Sequence, residues 1–256
     1  MRIIEYGVIL AAGEATRLKP LSDYFPKLIL PILNKPLLVH HFDIMEIIGV
    51  KKVFIIVSPS NLEMTETILM RHKTHRIDYE FVVQRLTKGT GHALSLLEEK
   101  LNDQQFFLLL GDEYYSDIES FKTFNEDTSD NFRMGIVEYQ DIKEIRKGCN
   151  VHLAEDYVIK LVEKPSIYEI EGKWCWDGSI LLDSMIFNAI RKSILLKGKT
   201  NNLCITDALQ ILLNCQQKIG IIKKDCININ ITTNIDFVFA NIIELKKKYG
   251  DIELVE

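Results

Sequence analysis

Short apolar runs alternate along this chain with longer stretches of helical spacing. The runs at 7–11, 52–57, 80–84, 106–110 and 134–138 read as buried strands. Between them, 36–48, 63–72 and 91–101 carry apolar residues at helical intervals. In the first of these, Leu37, Val39, His40, Phe42, Ile44, Met45 and Ile48 cover overlapping helical faces. Strand and helix in repetition predict a parallel sheet covered by helices on both faces. Past about residue 140 the rhythm changes. Runs at 151–153, 158–162 and 178–182 read as strands with no helix between them, and helical spacing returns at 184–193, 206–215 and 235–248. The polar segments 125–131 and 197–202 read as surface loops. No repeat, low-complexity linker or sharp boundary interrupts the pattern, so a single domain over 1–256 is expected, with halves at about 1–140 and 141–256.

Composition narrows the function classes. With 256 residues, 47% of them hydrophobic, the chain can bury a full core. Thirty-one basic residues against 36 acidic ones, a net charge of -5, argue against a nucleic-acid partner. The five cysteines, at 149, 175, 204, 215 and 226, are odd in number and form no Cys-x-x-Cys pair. Reduced thiols in a cytoplasm are expected, rather than a disulfide framework or a zinc site. The first apolar run is too short to span a membrane and no charged leader surrounds it, so no membrane partner is expected.

Four strings carry candidate chemistry. Leu10-Ala11-Ala12-Gly13-Glu14-Ala15-Thr16-Arg17-Leu18-Lys19-Pro20, then Phe25-Pro26-Lys27, is a strand ending in a small-residue turn that leads to an arginine and, ten residues later, to a lysine. Small residues let backbone N–H groups approach phosphate oxygens, and Arg17 and Lys27 could neutralise a triphosphate. Gly111-Asp112-Glu113 follows the apolar run 106–110, which sets a carboxylate at the carboxyl edge of a parallel sheet. Mg²⁺ suits such a carboxylate together with substrate phosphates. Gln84-Arg85-Leu86-Thr87-Lys88-Gly89-Thr90-Gly91-His92-Ala93 is a strand end, a glycine-rich loop and a helix start. Val162-Glu163-Lys164-Pro165 ends a later strand with an acceptor for hydroxyls beside a cation for a phosphate.

These strings, in this order between Gly7 and Asn241, resemble the sugar-1-phosphate nucleotidyltransferase family. Its G-x-G-T-R-L-x-P … P-K, Q-x-x-x-x-G-x-x-x-A and V-E-K-P elements all have counterparts here. The resemblance implies a Rossmann-like α/β/α sandwich with a mostly parallel sheet and a smaller sugar-facing β region. It implies Mg²⁺-dependent transfer from a nucleoside triphosphate (dTTP, UTP or CTP) to a sugar 1-phosphate, the first half of the chain binding the nucleotide and the second the sugar phosphate. By resemblance, Leu10, Ala11, Ala12, Gly13, Glu14 and Thr16 surround the triphosphate held by Arg17 and Lys27. Gln84 reads the base, and Gly89, Thr90 and Gly91 close over it. Asp112 binds the metal. Gly148 precedes the sugar-contacting strand, Glu163 meets sugar hydroxyls, Lys164 holds the sugar phosphate, and Gly178 forms a turn near the sugar.

The chain departs from the family in two places. Ala15 replaces the usual second glycine, and Asn230 stands where many relatives have a second metal aspartate, which makes it the candidate for a neutral oxygen ligand. Glu113 is expected to face the sugar or solvent, His92 to be structural, Thr206-Asp207 to cap a helix, and Asp236 to cap the last one. No acyltransferase or β-helix tail is expected, and a homo-oligomer is left open. Two other readings also remain: a cytidylyltransferase for phosphocholine or another small phosphorylated alcohol, and an inert regulatory or scaffold relative. A dinucleotide-binding dehydrogenase fits poorly, since no G-x-G-x-x-G follows the first strand.

Overall fold

A computed structural model describes residues 3–72, 76–126, 130–197 and 202–250. The middle of the expected loop 125–131 and most of the expected loop 197–202 lie outside the described residues. The first half runs β1 (Tyr6–Ala11), β2 (Pro31–Ile32), β3 (Lys35–Pro36), α1 (Leu37–Ile48), β4 (Lys52–Val57), α2 (Leu62–His72), β5 (Asp78–Val83), α3 (Thr90–Ser95), β6 (Gln105–Leu110), β7 (Glu113–Tyr115) and β8 (Phe132–Glu138). The second half runs α4 (Ile142–Ile145), β9 (Cys149–Ala154), β10 (Tyr157–Glu163), β11 (Trp174–Asp183), α5 (Met185–Lys197), α6 (Ile205–Asn214), β12 (Ile219–Lys223), β13 (Asn228–Asn230) and α7 (Asn234–Tyr249).

Nine strands form one sheet in the order β5-β4-β1-β6-β11-β8-β12-β10-β9. β1 lies parallel between β4 and β6, with Ile9 opposite both Ile55 and Leu109, and β5 extends this parallel block. Beyond β6 the expectation of a mostly parallel sheet is corrected. β11 runs antiparallel to β6 and β8, β10 runs antiparallel to β12 and β9, and only β12 and β8 pair in parallel, so the sheet is mixed. The reason is the length of the connections. Parallel neighbours need a crossover of a dozen or so residues, whereas β9 returns as β10 through Glu155 and Asp156 alone.

Helices do cover both faces. On β1, Val8 and Leu10 pack with Leu94, Phe187 and Leu209 from α3, α5 and α6, while Ile9 packs with Phe42 and Leu69 from α1 and α2. Fully burying such a side chain contributes about 1.5–3 kcal/mol. α3 is shorter than expected. After Ser95 the chain continues in tight turns, Leu97 N–H donating to Leu94 O at 3.0 Å, and these still bury Leu97 and Leu101. No described helix is long and apolar enough to cross a membrane.

Two local features shape the region beyond the end of β6. β7 and β13 form a separate antiparallel ribbon with Glu113 opposite Asn230. A small cluster of Leu18, Leu37, Tyr114, Ile231 and Ala240 joins that ribbon to the turn after β1 and to α7. In β11 the register shifts between Trp176 and Ile180. Gly178 sits in this bulge at φ 86°, and a Cβ there would come 2.6 Å from Glu113 Cγ, so only glycine fits. Under the bulge, the fully buried Lys224 Nζ meets Asp177 Oδ2 at 2.6 Å and Ser179 Oγ at 2.9 Å, and lies 3.3 Å from the centre of the Phe121 ring.

Candidate active site

A cleft of about 490 Å³ opens at the carboxyl ends of β1 and β6. Its first wall is the turn after β1, with Leu10 and every residue from Ala12 to Arg17. Leu18 is fully buried and anchors the turn, while Gly13, Glu14, Thr16 and Arg17 are exposed. Ala15 adopts φ 50° and ψ 34° at the head of the helical turn Thr16–Leu18. The left-handed conformation that a glycine would take without penalty is thus kept by alanine, at about 1–2 kcal/mol.

The floor is the end of β6. Asp112 Oδ2 lies 3.0 Å from Lys27 Nζ, so charges from two separate first-half motifs meet as an ion pair. Lys27 reaches the cleft through this contact rather than lining it. Glu113 lines the cleft but is buried, which corrects the expectation of a sugar- or solvent-facing side chain. Its Oε1 accepts from Asn230 Nδ2 at 2.5 Å and its Oε2 from Asn228 Nδ2 at 3.0 Å. Burial, then the Asp112 charge, raises its pKa well above the carboxylate range. Asn230 also lines the cleft, and its Oδ1 accepts from the Thr232 hydroxyl. The oxygen donors of this wall are therefore Asp112, Asn230 and the buried Glu113. Among the described residues, no three His, Cys, Asp or Glu side chains gather as a metal cage.

The loop after β5 forms one rim. Gln84 is buried at the strand end and lines the cleft with Thr87, Gly89 and Thr90. Gly89 has φ 91°, and a Cβ there would lie 2.3 Å from Leu203 O, so glycine lets this loop approach the start of α6. Lys88 O accepts from Leu203 N–H at 2.9 Å, and Thr90 Oγ1 accepts from Ile205 N–H at 2.9 Å. Gly91 sits behind the rim, packed on Leu203.

The far wall belongs to the second half. Gly148, Glu163 and Lys164 all line the cleft. Lys164 sits at φ 48°, held there by its N–H donating to Gly148 O at 2.8 Å. A strained backbone at an exposed cation in a cleft is the kind of feature that clusters at functional sites. The Glu163 side chain is accessible yet enclosed by the cleft walls, and that enclosure raises its carboxyl pKa against the pull of the Lys164 charge.

Most of the residues expected from the sequence therefore share one cleft. Ala11 and Gly178 support it from behind, the latter against Glu113. Sequence reasoning missed Lys147, Cys149, Trp176 and Cys204, which also line it. Lys147 bonds Glu144 at 2.8 Å and Asp236 at 3.4 Å; its place next to Gly148 was the only signal for it. The Thr206-Asp207 expectation divides. Asp207 bonds back to Cys204 N–H at 3.0 Å, as a cap does, while buried Thr206 faces the cleft. Asp236 caps α7 as expected, in a reciprocal box with Thr233.

Several known proteins are similar to this chain. The family described as Nucleotidyl transferase matches residues 6–226. The bifunctional protein GlmU of Methanococcus vannielii is 30% identical over 226 residues, covering 84% of this chain, and the chain spans only 49% of that protein's length. The UTP–glucose-1-phosphate uridylyltransferase AglF of Haloferax volcanii is 28% identical over 227 residues, covering 85% of this chain and 87% of its own. Among solved structures, a UDP-glucose pyrophosphorylase complexed with UDP-glucose superposes with a TM-score of 0.83 at 21% identity, over 95% of this chain and 99% of that one. The inositol-1-phosphate CTP transferase of T. maritima gives 0.80 at 16% identity, over 98% and 99%. At these identities the two structures establish the fold alone.

Proposed function

The chain belongs to the nucleotidyl transferase family, and on that premise we propose that it transfers a nucleotidyl group from a nucleoside triphosphate to a sugar 1-phosphate. The observation that carries this reading is the meeting of the Arg17 turn, Asp112 and Lys164 around one cleft, although they lie far apart in the chain. Relatives named as uridylyl- and thymidylyltransferases of glucose 1-phosphate support the sugar class.

In the proposed reaction an oxygen of the sugar phosphate attacks the α-phosphorus, the α–β phosphoanhydride bond breaks, and pyrophosphate leaves. A phosphate monoester has a second pKa of about 6 and is already nucleophilic at neutral pH, so no general base is needed. What the protein supplies is placement and neutralisation of crowded anions. Arg17 and Lys27 hold the triphosphate, and Lys164 holds the attacking phosphate. Glu163 accepts from sugar hydroxyls.

The donor set fits Mg²⁺, which takes one or two carboxylates and completes its shell with phosphate oxygens and water. Asp112 would hold it, with the Asn230 oxygen as a neutral second ligand. When bound, the ion would supply charge stabilisation at the reacting phosphate.

A second reading keeps the same chemistry with a phosphorylated polyol as acceptor, supported by the fold shared with the inositol-1-phosphate CTP transferase. The test is pyrophosphate release from UTP, dTTP, CTP, GTP and ATP, each offered glucose 1-phosphate, N-acetylglucosamine 1-phosphate, inositol 1-phosphate and phosphocholine with Mg²⁺. Turnover with a sugar 1-phosphate is expected. Turnover only with an alcohol phosphate selects the second reading, and absence of nucleotide binding at millimolar concentration rejects both.

A further inference from the structure

We propose that His92 is a positioning residue: its Nδ1 accepts an amide proton of Gln84 and, with the Gly89 carbonyl, holds that amide with its oxygen left to the cleft, so that discrimination between bases depends on His92. The proposal rests on the reading of Gln84 as the residue that meets the nucleobase.

Gln84 is only 3% exposed, and its Nε2 lies 3.1 Å from Gly89 O and 3.0 Å from His92 Nδ1. A carbonyl oxygen can only accept, so the amide nitrogen must be the atom facing Gly89. One amide proton goes to that carbonyl and the other to His92. The imidazole nitrogen therefore accepts, and the ring carries its proton on Nε2. Desolvation, then the nearby Lys88 charge, lowers the His92 pKa and favours the neutral ring that can accept. Gln84 Oε1 takes no hydrogen bond among the described residues and is the amide atom left for a ligand.

A freely rotating amide can offer a base either its N–H or its oxygen and discriminates poorly. An amide held at both protons offers only an acceptor. Uracil and thymine carry a proton on N3, the middle of their pairing edge, while cytosine presents a lone pair there. A site built around one fixed acceptor leaves that acceptor unpaired with the wrong base, which is how polar sites discriminate. The Gly89 carbonyl is itself fixed, since Gly89 is the N-cap of α3 and its oxygen also accepts from Ala93 N–H at 3.1 Å. His92 stands on the first turn of the same helix, so the two acceptors hold the amide from one frame.

The experiment compares wild type, His92→Phe, His92→Asn and Gln84→Leu. His92→Phe keeps a ring and loses the acceptor, whereas His92→Asn restores an oxygen near the place of Nδ1. Dissociation constants for UTP, dTTP, CTP and GTP with Mg²⁺ are measured by calorimetry, and circular dichroism checks the fold. The expected result is a CTP-to-UTP ratio of dissociation constants that shrinks about tenfold in His92→Phe, the loss of one hydrogen bond's discrimination, and returns in His92→Asn. An unchanged ratio in His92→Phe, or an equal weakening of all four nucleotides, overturns the proposal. If the ratio collapses in Gln84→Leu but not in His92→Phe, His92 alone is misassigned. If it survives in Gln84→Leu, the reading of Gln84 falls, and the role of His92 with it.

Discussion

At the scale of single residues, the sharpest test lies at Lys164, whose backbone is held left-handed with its side chain at the cleft. Lys164→Ala should weaken the sugar phosphate much more than the nucleotide, by about 1.5–3 kcal/mol for one charge-assisted bond. Titrating each ligand separately checks this, and equal losses for both would count against the assigned role. Asn230 invites a different experiment. Its amide donates to Glu113, whose pKa is already raised by burial and then by Asp112. Asn230→Asp sets a second carboxylate against that one. Carboxyls with raised pKa values keep more protons folded than unfolded, so their cost grows as pH rises above the ordinary value of 4.5. The melting temperature of Asn230→Asp should therefore fall further below wild type at pH 8 than at pH 5. A gap that does not change with pH would mean that the two groups do not interact. Legibility at this scale was uneven. The motif strings announced Asp112, Glu163 and Lys164, because each sits at a strand end where the apolar run stops. Lys147 and Trp176 gave no such sign, because only the folding of β9 and β11 brings them to the cleft.

At the scale of elements, two devices hold the site from outside it. Lys224 and Asp177, both without solvent exposure, lock the β11 bulge that presses Gly178 onto Glu113. Lys224→Met strands a buried carboxylate, which should cost about 3–5 kcal/mol. The double variant with Asp177→Leu should recover part of that, and denaturant melts of wild type, the two singles and the double measure it. If the double variant is as unstable as the sum of two singles, the pair is not coupled. The second device is the start of α7. Burial pushes the Asp236 pKa up, but bonds from the Thr233 N–H and hydroxyl and the Thr232 N–H outweigh it, and the net shift is downward. Its folded pKa lies below the unfolded value, so its stabilisation is fully present above pH 3.8 and lost as pH falls through the lowered value. Wild type should thus lose more stability than Asp236→Asn on acidification below that pH; parallel losses would sink the assignment. The longer first-half strands could be read from their apolar runs and the main helices from periodicity, because these are long enough to show it. β7 and β12 could not: three and five residues carry too little period to separate a strand from a turn.

Across the whole molecule, the reading of helices on both faces held because the two apolar faces of β1 demand partners on both sides. The sheet's direction did not follow from the same reasoning. Alternating strand and helix signals parallel pairing only while crossovers persist, and the chain from β8 to β11 has no helix longer than one turn. The cleft also behaves as a unit. Lys27 and Asp112 hold each other at 3.0 Å, yet one suits a phosphate and the other a divalent ion. On the proposed function, a ligand that parts them releases the remaining charge for the other ligand. Binding of the two is then thermodynamically linked, and each must tighten the other by the same factor. Nucleotide affinity measured with and without Mg²⁺ should differ strongly in wild type. In Asp112→Asn, which frees Lys27 beforehand, the difference should shrink, largely because the metal-free affinity has risen. Metal-free affinity that stays at the wild-type level would mean that Lys27 was never restrained. On that reading the ion pair would act as an internal latch, leaving a protein that meets metal without nucleotide, or nucleotide without metal, a poor binder of either.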